Sequence, residues 1–421
     1  MTVKNIFTLA TLATVAAAQC DLNDPTPQPN LYTNATPAAV YAAQANAQTY
    51  QGETTQVQGK VFDRFIQIWL EKASYRDAVR DPNLEWLASQ GILLSNYFGL
   101  THPSQPNYIA ASAGDNFGCQ NDNFTQVAAN VSTVVDLLED KGILWGTYQE
   151  DMPFTGFQGN RWQDQIFKTN DYMRKHNPLI KFDANTNCRR LSYQKNLTQF
   201  DMDLQGKRMP QWAFITPNMQ HNGHDTDIIH AGAWTRKFLE PLLNNEDFME
   251  RTLILVAYDA NEQPQEGNRV WATLLGGAVP KSLHGSTDSQ YYNHYSTIST
   301  VEANWDLHTL GRWDVGANVF KIVADQTGDN YTPNDAVAGL QPTVFLNASF
   351  QGPFNGQAGV GFAPYPIPNT NIVANGRTVL PSIVDMYKDL QNSKNMYYNS
   401  SVVVPDGQHP PPGYIGGSFD V

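Results

Sequence analysis

The sequence is poor in cysteine and in basic residues, and no long apolar run follows its N-terminal stretch. Its 421 residues include three cysteines, and 27 lysine and arginine residues face 40 aspartate and glutamate residues, for a formal net charge of −13. An acidic chain is repelled by nucleic acid and by an anionic membrane surface, because both carry negative charge. The missing apolar run excludes a later transmembrane helix. We therefore expect neither nucleic acid nor a membrane as partner.

The N-terminal stretch MTVKNIFTLATLATVAAAQ has the composition of a secretory signal peptide. Lys4 precedes a short apolar run, and alanines occupy 16–18. The run is too short to span a membrane as a helix, and small residues of this kind mark a cleavage site. We predict a signal peptide over 1–18, with cleavage near Ala18, and an extracellular or cell-wall location.

Glycosylation signals and cysteine usage agree with export. Seven Asn-X-Ser/Thr sequons begin at Asn34, Asn123, Asn130, Asn196, Asn330, Asn347 and Asn399. In an oxidising compartment two of the three cysteines should form a disulfide. We expect Cys119 to pair with Cys188, because Cys20 lies in a segment predicted to be loose.

The body of the chain alternates between strand-like and helix-like patterns. A lead-in rich in Pro, Asn and Ala covers 19–60, the alternating core covers 61–325, and a Pro/Gly/Asn-rich region expected to pack on the core covers 326–421. Apolar runs of strand length lie at 64–71, 143–151, 211–218 and 252–259, and helical patterns at 131–142 and 233–245. This alternation predicts an α/β fold with a mostly parallel central sheet flanked by helices.

Polar residues follow three of the predicted strands. Glu71 ends the first, Asn218 follows the third and Asp259 ends the fourth. Ligands bind outside the carboxyl ends of parallel strands, so we expect these side chains to converge. Each one taken singly is equally typical of a turn or a helix cap.

The stretch THPSQPNYIA places Ser104 between two prolines. One interpretation is a plain helix start, since serine is a favoured N-cap and proline is tolerated in the first turn. The other is a nucleophile at an anion-binding helix N-terminus. Histidines that lie among polar residues favour the second interpretation. His221 and His224 follow the third strand, and His294 precedes a helix predicted to begin near Ser299.

Five segments in order, from about 62 to 310, resemble a known family: FDRFIQIWLE, THPSQPNYIAASAG, NMQHNGHDTD, VAYDANE and NHYSTISTVEANWDL. They are similar to the phosphate-repressible acid phosphatases of filamentous fungi. These belong to a phosphoesterase family that also holds bacterial acid phosphatases and phospholipases C, within the alkaline-phosphatase-like fold.

The resemblance implies in-line attack by Ser104 on phosphorus and a phosphoserine intermediate. It implies that Asn107 donates to phosphoryl oxygens, and that His224 and His294 bind phosphate or protonate the leaving oxygen. Glu71 and Asp259 match metal-side carboxylates. Further substrate contacts are expected from His102, His221, Asn222 and Asp225.

Three positions depart from the family pattern. Lys72 stands where asparagine is usual after the glutamate, Ala260 stands where a second acid is usual, and His221-Asn222 replaces Asn-Asp. Fewer oxygen ligands weaken the case for a hard divalent cation. Two interpretations stay open: Lys72 supplies the positive charge of a lost metal, or Lys72 points to solvent and one divalent ion is held by Glu71, Ser104 and Asp259.

The function predicted from these features is a secreted acid phosphatase that scavenges phosphate from small external monoesters. A phospholipase C-like or other phosphodiesterase is the alternative, and a non-catalytic secreted glycoprotein is a third hypothesis. Protonated His224 and His294 should favour an acidic optimum, because histidine titrates near neutrality.

Overall fold

The computed structural model of the protein describes residues 20–263, 266–329, 348–350, 352–356, 361–391, 398 and 418–420. The predicted signal peptide, three of the sequons (Asn330, Asn347 and Asn399) and much of the predicted C-terminal region lie outside these residues.

The strands, numbered along the chain, have these bounds: β1 Arg64–Leu70, β2 Ile92–Leu94, β3 Tyr97–Phe98, β4 Trp145–Gln149, β5 Arg161–Gln163, β6 Asn170–Met173, β7 Gln194–Asn196, β8 Trp212–Thr216, β9 Thr252–Tyr258, β10 Arg269–Val270, β11 Ala272–Leu275, β12 Ser286–Asp288, β13 Tyr292–Asn293, β14 Ala348–Phe350, β15 Val373–Ala374, β16 Arg377–Thr378 and β17 Ser418–Asp420.

The α-helices have these bounds: α1 Pro37–Gln44, α2 Tyr75–Ala78, α3 Pro82–Ser89, α4 Ser104–Ala113, α5 Val134–Asp140, α6 Cys188–Ser192, α7 Thr198–Gln205, α8 Ile228–Leu243, α9 Glu246–Met249, α10 Ser296–Trp305, α11 Lys321–Thr327 and α12 Pro381–Tyr387.

Eight strands form the central sheet in the order β12-β2-β11-β9-β1-β8-β4-β7. β1 lies in the middle and pairs in parallel with β8 and β9, so that Ile66 stands between Ala213 and Ile254. β11 pairs antiparallel with both of its neighbours. The predicted α/β fold with a mostly parallel sheet is therefore confirmed.

The four predicted strands are present as β1, β4, β8 and β9, and every residue of β9 is buried. Near-continuous apolar runs suit a sheet covered on both faces. The helix predicted at 233–245 begins earlier, at Ile228, because the Asp227 side chain accepts a hydrogen bond from the His230 N–H and caps it. The helix predicted near Ser299 begins at Ser296.

The predicted disulfide is wrong. Cys20 bonds Cys188, and Cys119 is a free, buried thiol. The N-terminal segment is not loose, because it lies against the core: Gln28 N–H donates to the Thr186 carbonyl at 3.1 Å. This contact brings Cys20 to Cys188 across 168 residues of chain.

Several of the described residues after 360 also pack on the core. Ile367, Val379, Leu380 and Ile383 are buried within the main hydrophobic cluster. Among the residues described, no helix is long and apolar enough to cross a membrane.

Candidate active site

The site lies at the carboxyl ends of β1 and β9. Glu71 directly follows β1 and Asp259 directly follows β9, and both side chains are fully buried. The two strands are parallel neighbours, so the two carboxylates are adjacent: the Lys72 N–H donates to Asp259 Oδ1 at 2.9 Å. The predicted convergence of these two acids is confirmed.

Ser104 is the first residue of α4, and its hydroxyl faces Glu71. Ser104 Oγ donates to Glu71 Oε2 at 2.7 Å, and Tyr108, one turn later, donates to Glu71 Oε1 at 2.7 Å. The helix ends where Gly114 adopts a left-handed conformation, with φ of 73°. The helix start thus presents a hydroxyl to a carboxylate at the sheet edge.

Asn107 has a different position from the one expected. Its Oδ1 accepts from the N–H groups of Leu100 (2.9 Å) and Thr101 (3.3 Å), and its Nδ2 donates to the carbonyls of Thr101 (2.7 Å) and Pro103 (3.3 Å). Both polar atoms hold the loop that precedes Ser104. The structure therefore shows Asn107 positioning Ser104 and not aiming its amide at a phosphoryl group.

His176 belongs to the site, although the sequence analysis did not select it. It ends a 3₁₀ turn, Arg174–His176, directly after β6, and its Nε2 lies 3.1 Å from Glu71 Oε1. Burial lowers the pKa of His176. Burial alone would raise the pKa of Glu71, but His176, His224 and Lys175 together hold it well below its usual range. These neighbouring basic groups therefore favour the anionic form of Glu71.

Lys175 brings a positive charge to the same place. Its Nζ lies 3.0 Å from His224 Nε2 and donates to Asp122 Oδ2 at 2.8 Å. Burial opposes this charge, but Glu71 and Asp122 raise the pKa of Lys175 above its ordinary value. His224 is oriented in turn by Asp225, whose Oδ1 lies 2.8 Å from His224 Nδ1. No strand-end signal in the sequence marks Lys175, which follows a short hairpin.

The side of the site around Asp259 is fully buried. Burial and the charge of Glu71 raise the pKa of Asp259 well above its usual range, and its Oδ2 has no hydrogen-bond partner among the described residues. His294 Nε2 lies 2.6 Å from the Asp259 carbonyl, and its ring packs 4.2 Å from that of Trp69. Burial lowers the pKa of His294 to about 3. We predicted a protonated His294, but this low pKa favours the neutral ring.

Lys72 does not hold the position expected of a metal substitute. Its side chain is exposed, and its backbone N–H is the group that reaches Asp259. His102 is half-buried, and burial lowers its pKa. The ammonium that meets Glu71 and His224 is that of Lys175.

Three residues of the loop after β8 separate into two groups. Asn222 supports the site: its carbonyl accepts from the Glu71 N–H at 2.9 Å, and its Oδ1 accepts from the His224 N–H at 2.8 Å.

His221 instead pairs with Glu150, at 2.9 Å, and lines a cavity of about 710 Å³ whose walls include neither Ser104 nor Glu71. Asn218 likewise faces away, since its Nδ2 donates to Asp151.

A metal ion fits the residues present. Glu71, His176 and His224 each offer a ligand atom, and the three atoms lie within 4.8 Å of one another. The Asp259 carboxyl, which neighbours Glu71, offers a further oxygen. Two imidazoles with carboxylates suit zinc, iron or manganese better than calcium or magnesium. This ligand set differs from the expected one, because histidines replace the oxygen ligands that the sequence lacks.

Ser104 thus lies against the strand-end carboxylate of Glu71, and the Lys175–His224 pair lies near the same carboxylate. Residues 13–308 match the model of the Phosphoesterase family, and the chain belongs to that family.

The chain is similar to an acid phosphatase of Aspergillus fumigatus, with 45% identity over 370 residues, 87% of this chain and 81% of the relative. It is 46% identical over 321 residues to a phosphate-repressible acid phosphatase of Penicillium chrysogenum, 76% of each chain. A phosphatidylinositol-3-phosphatase of Mycobacterium tuberculosis is 24% identical over 55% of this chain and 71% of its own.

Among solved structures, a protein of the alkaline phosphatase superfamily from Vibrio parahaemolyticus aligns with a TM-score of 0.40 at 12% identity, covering 62% of this chain and 72% of its own.

Proposed function

We propose that the protein is a secreted acid phosphatase, a phosphoric monoester hydrolase that forms a phosphoserine on Ser104 and releases phosphate from small external esters. The observation that carries the proposal is the 2.7 Å hydrogen bond from Ser104 Oγ to Glu71 Oε2 at the start of α4. Relatives at 45% and 46% identity bear the name acid phosphatase, which supports the reaction class.

In the first step, Ser104 Oγ attacks phosphorus while the bond from phosphorus to the leaving oxygen breaks. The serine proton passes toward Glu71, which already accepts it as a hydrogen bond. Lys175 and the N-terminal end of α4 stabilise the negative phosphoryl oxygens. His224, held by Asp225, donates a proton to the leaving oxygen.

In the second step, water attacks the phosphoserine, phosphate leaves and Ser104 regains its proton. A metal ion held by Glu71, His176 and His224 would replace His224 as the acid: it would supply Lewis-acid stabilisation of the phosphoryl charge and lower the pKa of the serine hydroxyl, and His224 would then donate no proton. His176 and His224 would then serve as ligands in place of the oxygen ligands that are missing from this sequence.

Two features support export. Cys20 and Cys188 form a disulfide, which suits an oxidising compartment. Asn34, Asn123 and Asn130 are exposed, as glycan acceptors must be. Asn130 and Asn196 are weaker candidates, because their side-chain nitrogens already donate, to the Tyr387 hydroxyl and to the Met152 carbonyl respectively.

The proposal is tested with p-nitrophenyl phosphate and its bis-ester, at pH 5 and pH 7.5. We expect faster hydrolysis of the monoester, an acidic optimum, and loss of turnover in Ser104→Ala. Acid quenching during turnover of a ³²P-labelled monoester should leave label on Ser104. Ser112→Ala is the matched control, because Ser112 lies in the same helix and its hydroxyl donates to the Tyr108 carbonyl.

Preference for the bis-ester would favour the phosphodiesterase alternative. Absence of turnover with both esters would favour the non-catalytic glycoprotein. Turnover that survives in Ser104→Ala would exclude the phosphoserine.

A further inference from the structure

The carboxylate of Asp122 joins the start of α4 to Lys175. Asp122 Oδ1 accepts from the Gln105 N–H at 3.0 Å, and Asp122 Oδ2 accepts from Lys175 Nζ at 2.8 Å. The Lys175 side chain is 11% exposed and that of Asp122 is 29% exposed. Each carboxylate oxygen thus holds one donor, and the carboxylate retains access to water.

These two donors are the ones that an anionic ligand would use. Gln105 is the second residue of the ten-residue helix α4, and N–H groups at a helix N-terminus attract anions. Lys175 Nζ also lies 3.0 Å from His224, beside Glu71. A phosphoryl group that approaches Ser104 arrives next to Gln105 and meets a carboxylate already in place.

We propose that Asp122 is a resident anion of the substrate site, which the phosphoryl group of the substrate must displace from Lys175 and from the Gln105 N–H. The inference rests on the proposed phosphatase function. In this role Asp122 lowers the affinity of the site for phosphate, because it competes for the same donors. In the free enzyme Asp122 neutralises Lys175. After hydrolysis it competes with the product phosphate for the same donors and so promotes release.

The variant Asp122→Asn separates this role from a structural one, because asparagine keeps an oxygen for the Gln105 N–H but carries no charge. We expect inorganic phosphate to inhibit about tenfold more tightly, the lower end of what a hydrogen bond to a charged group contributes. The KM for p-nitrophenyl phosphate should fall as well, and kcat should stay the same or fall as product release slows. Asp183→Asn is the control, since it removes an equal charge from a half-buried aspartate.

If Asp122 only positions Lys175, the same variant should raise both KM and the inhibition constant for phosphate, and that result would overturn the proposal. Unchanged constants would overturn it too.

Phosphate binding is also measured by calorimetry in Ser104→Ala, with and without Asp122→Asn. This arm needs no turnover. Tighter binding in the double variant supports the resident anion even if the chain proves not to hydrolyse monoesters, and unchanged or weaker binding refutes it.

Discussion

Glu71 and Asp259 are two buried carboxylates at the ends of neighbouring strands, yet their environments drive them to opposite charge states. Glu71 accepts hydrogen bonds from Ser104 and Tyr108 and lies beside His176, and its pKa is held well below its usual range. Asp259 Oδ2 has no partner among the described residues, and burial with the charge of Glu71 raises its pKa.

The comparison shows that donors and nearby cations, and not burial alone, decide which acid is ionised. Pairs of carboxyl groups whose pKa values are pushed apart are characteristic of sites with divided roles. Here hydrogen-bond donors and nearby cations favour the anionic form of Glu71, while burial and the charge of Glu71 favour the neutral form of Asp259.

The comparison is tested most strongly by amide variants of the two acids. Glu71→Gln should lower kcat/KM by roughly 10³-fold, because it removes the acceptor of the Ser104 proton, within the range seen for general bases. Asp259→Asn should cost less, roughly tenfold, because an amide resembles a neutral carboxyl in shape and charge. The measurement is kcat/KM for p-nitrophenyl phosphate at acidic pH, with circular dichroism to check folding.

Equal losses in the two variants would contradict the neutral Asp259 and indicate that a bound cation ionises it. Metal analysis of the same preparations makes this distinction independently. A transition metal that is present in the wild type and lost from His176→Gln would place the cation at Glu71, His176 and His224. Extended chelation should then lower activity, with recovery on adding the metal back.

The next largest difference in kcat/KM is expected between variants of two lysines, Lys175 and Lys72. Lys175→Ala should lower kcat/KM about 100-fold, because it removes an ammonium that contacts His224 and faces Glu71, and hydrogen bonds of charged groups contribute strongly. Lys72→Ala should change it by no more than about threefold, as is usual for an exposed side chain. The reverse order would restore Lys72 as the substitute for a metal charge.

The smallest effect concerns Glu302 in α10, which extends the comparison to a carboxyl outside the site. Glu302 is fully buried, and neither of its oxygens receives a hydrogen bond from the residues described. Burial and the neighbouring Asp314 raise its pKa well above the ordinary value of 4.5. Above pH 4.5 the unfolded chain loses this proton while the folded chain keeps it, so the wild type loses stability as pH rises.

Glu302→Gln removes that loss, because glutamine is neutral at every pH. We expect its melting temperature to exceed that of the wild type by about 2–4 °C at pH 7. The difference should shrink toward pH 4. The exposed Glu85→Gln serves as control. A difference that is independent of pH would show that Glu302 does not titrate as its environment indicates.

Much of the site could be predicted because it follows from local patterns. Apolar runs of strand length ended by Glu71 and Asp259 define parallel strands, and parallel strands place their carboxyl ends at one edge. Ser104 between prolines marks a helix start, and the helix begins there. The positions of these three residues could be predicted from the sequence alone.

The remaining features depend on contacts between distant segments. Lys175 and His176 follow a hairpin that carries no strand-end signal, and Cys20 reaches Cys188 because the N-terminal segment packs on the core. The low pKa of His294 and the divergent pKa values of the two strand-end acids arise from burial and from neighbours in space. The sequence by itself determined where the strands end and that Ser104 lies at a helix start. The tertiary structure decided which side chains surround them and which carry charge, because desolvation and hydrogen-bond donors are properties of the packed chain.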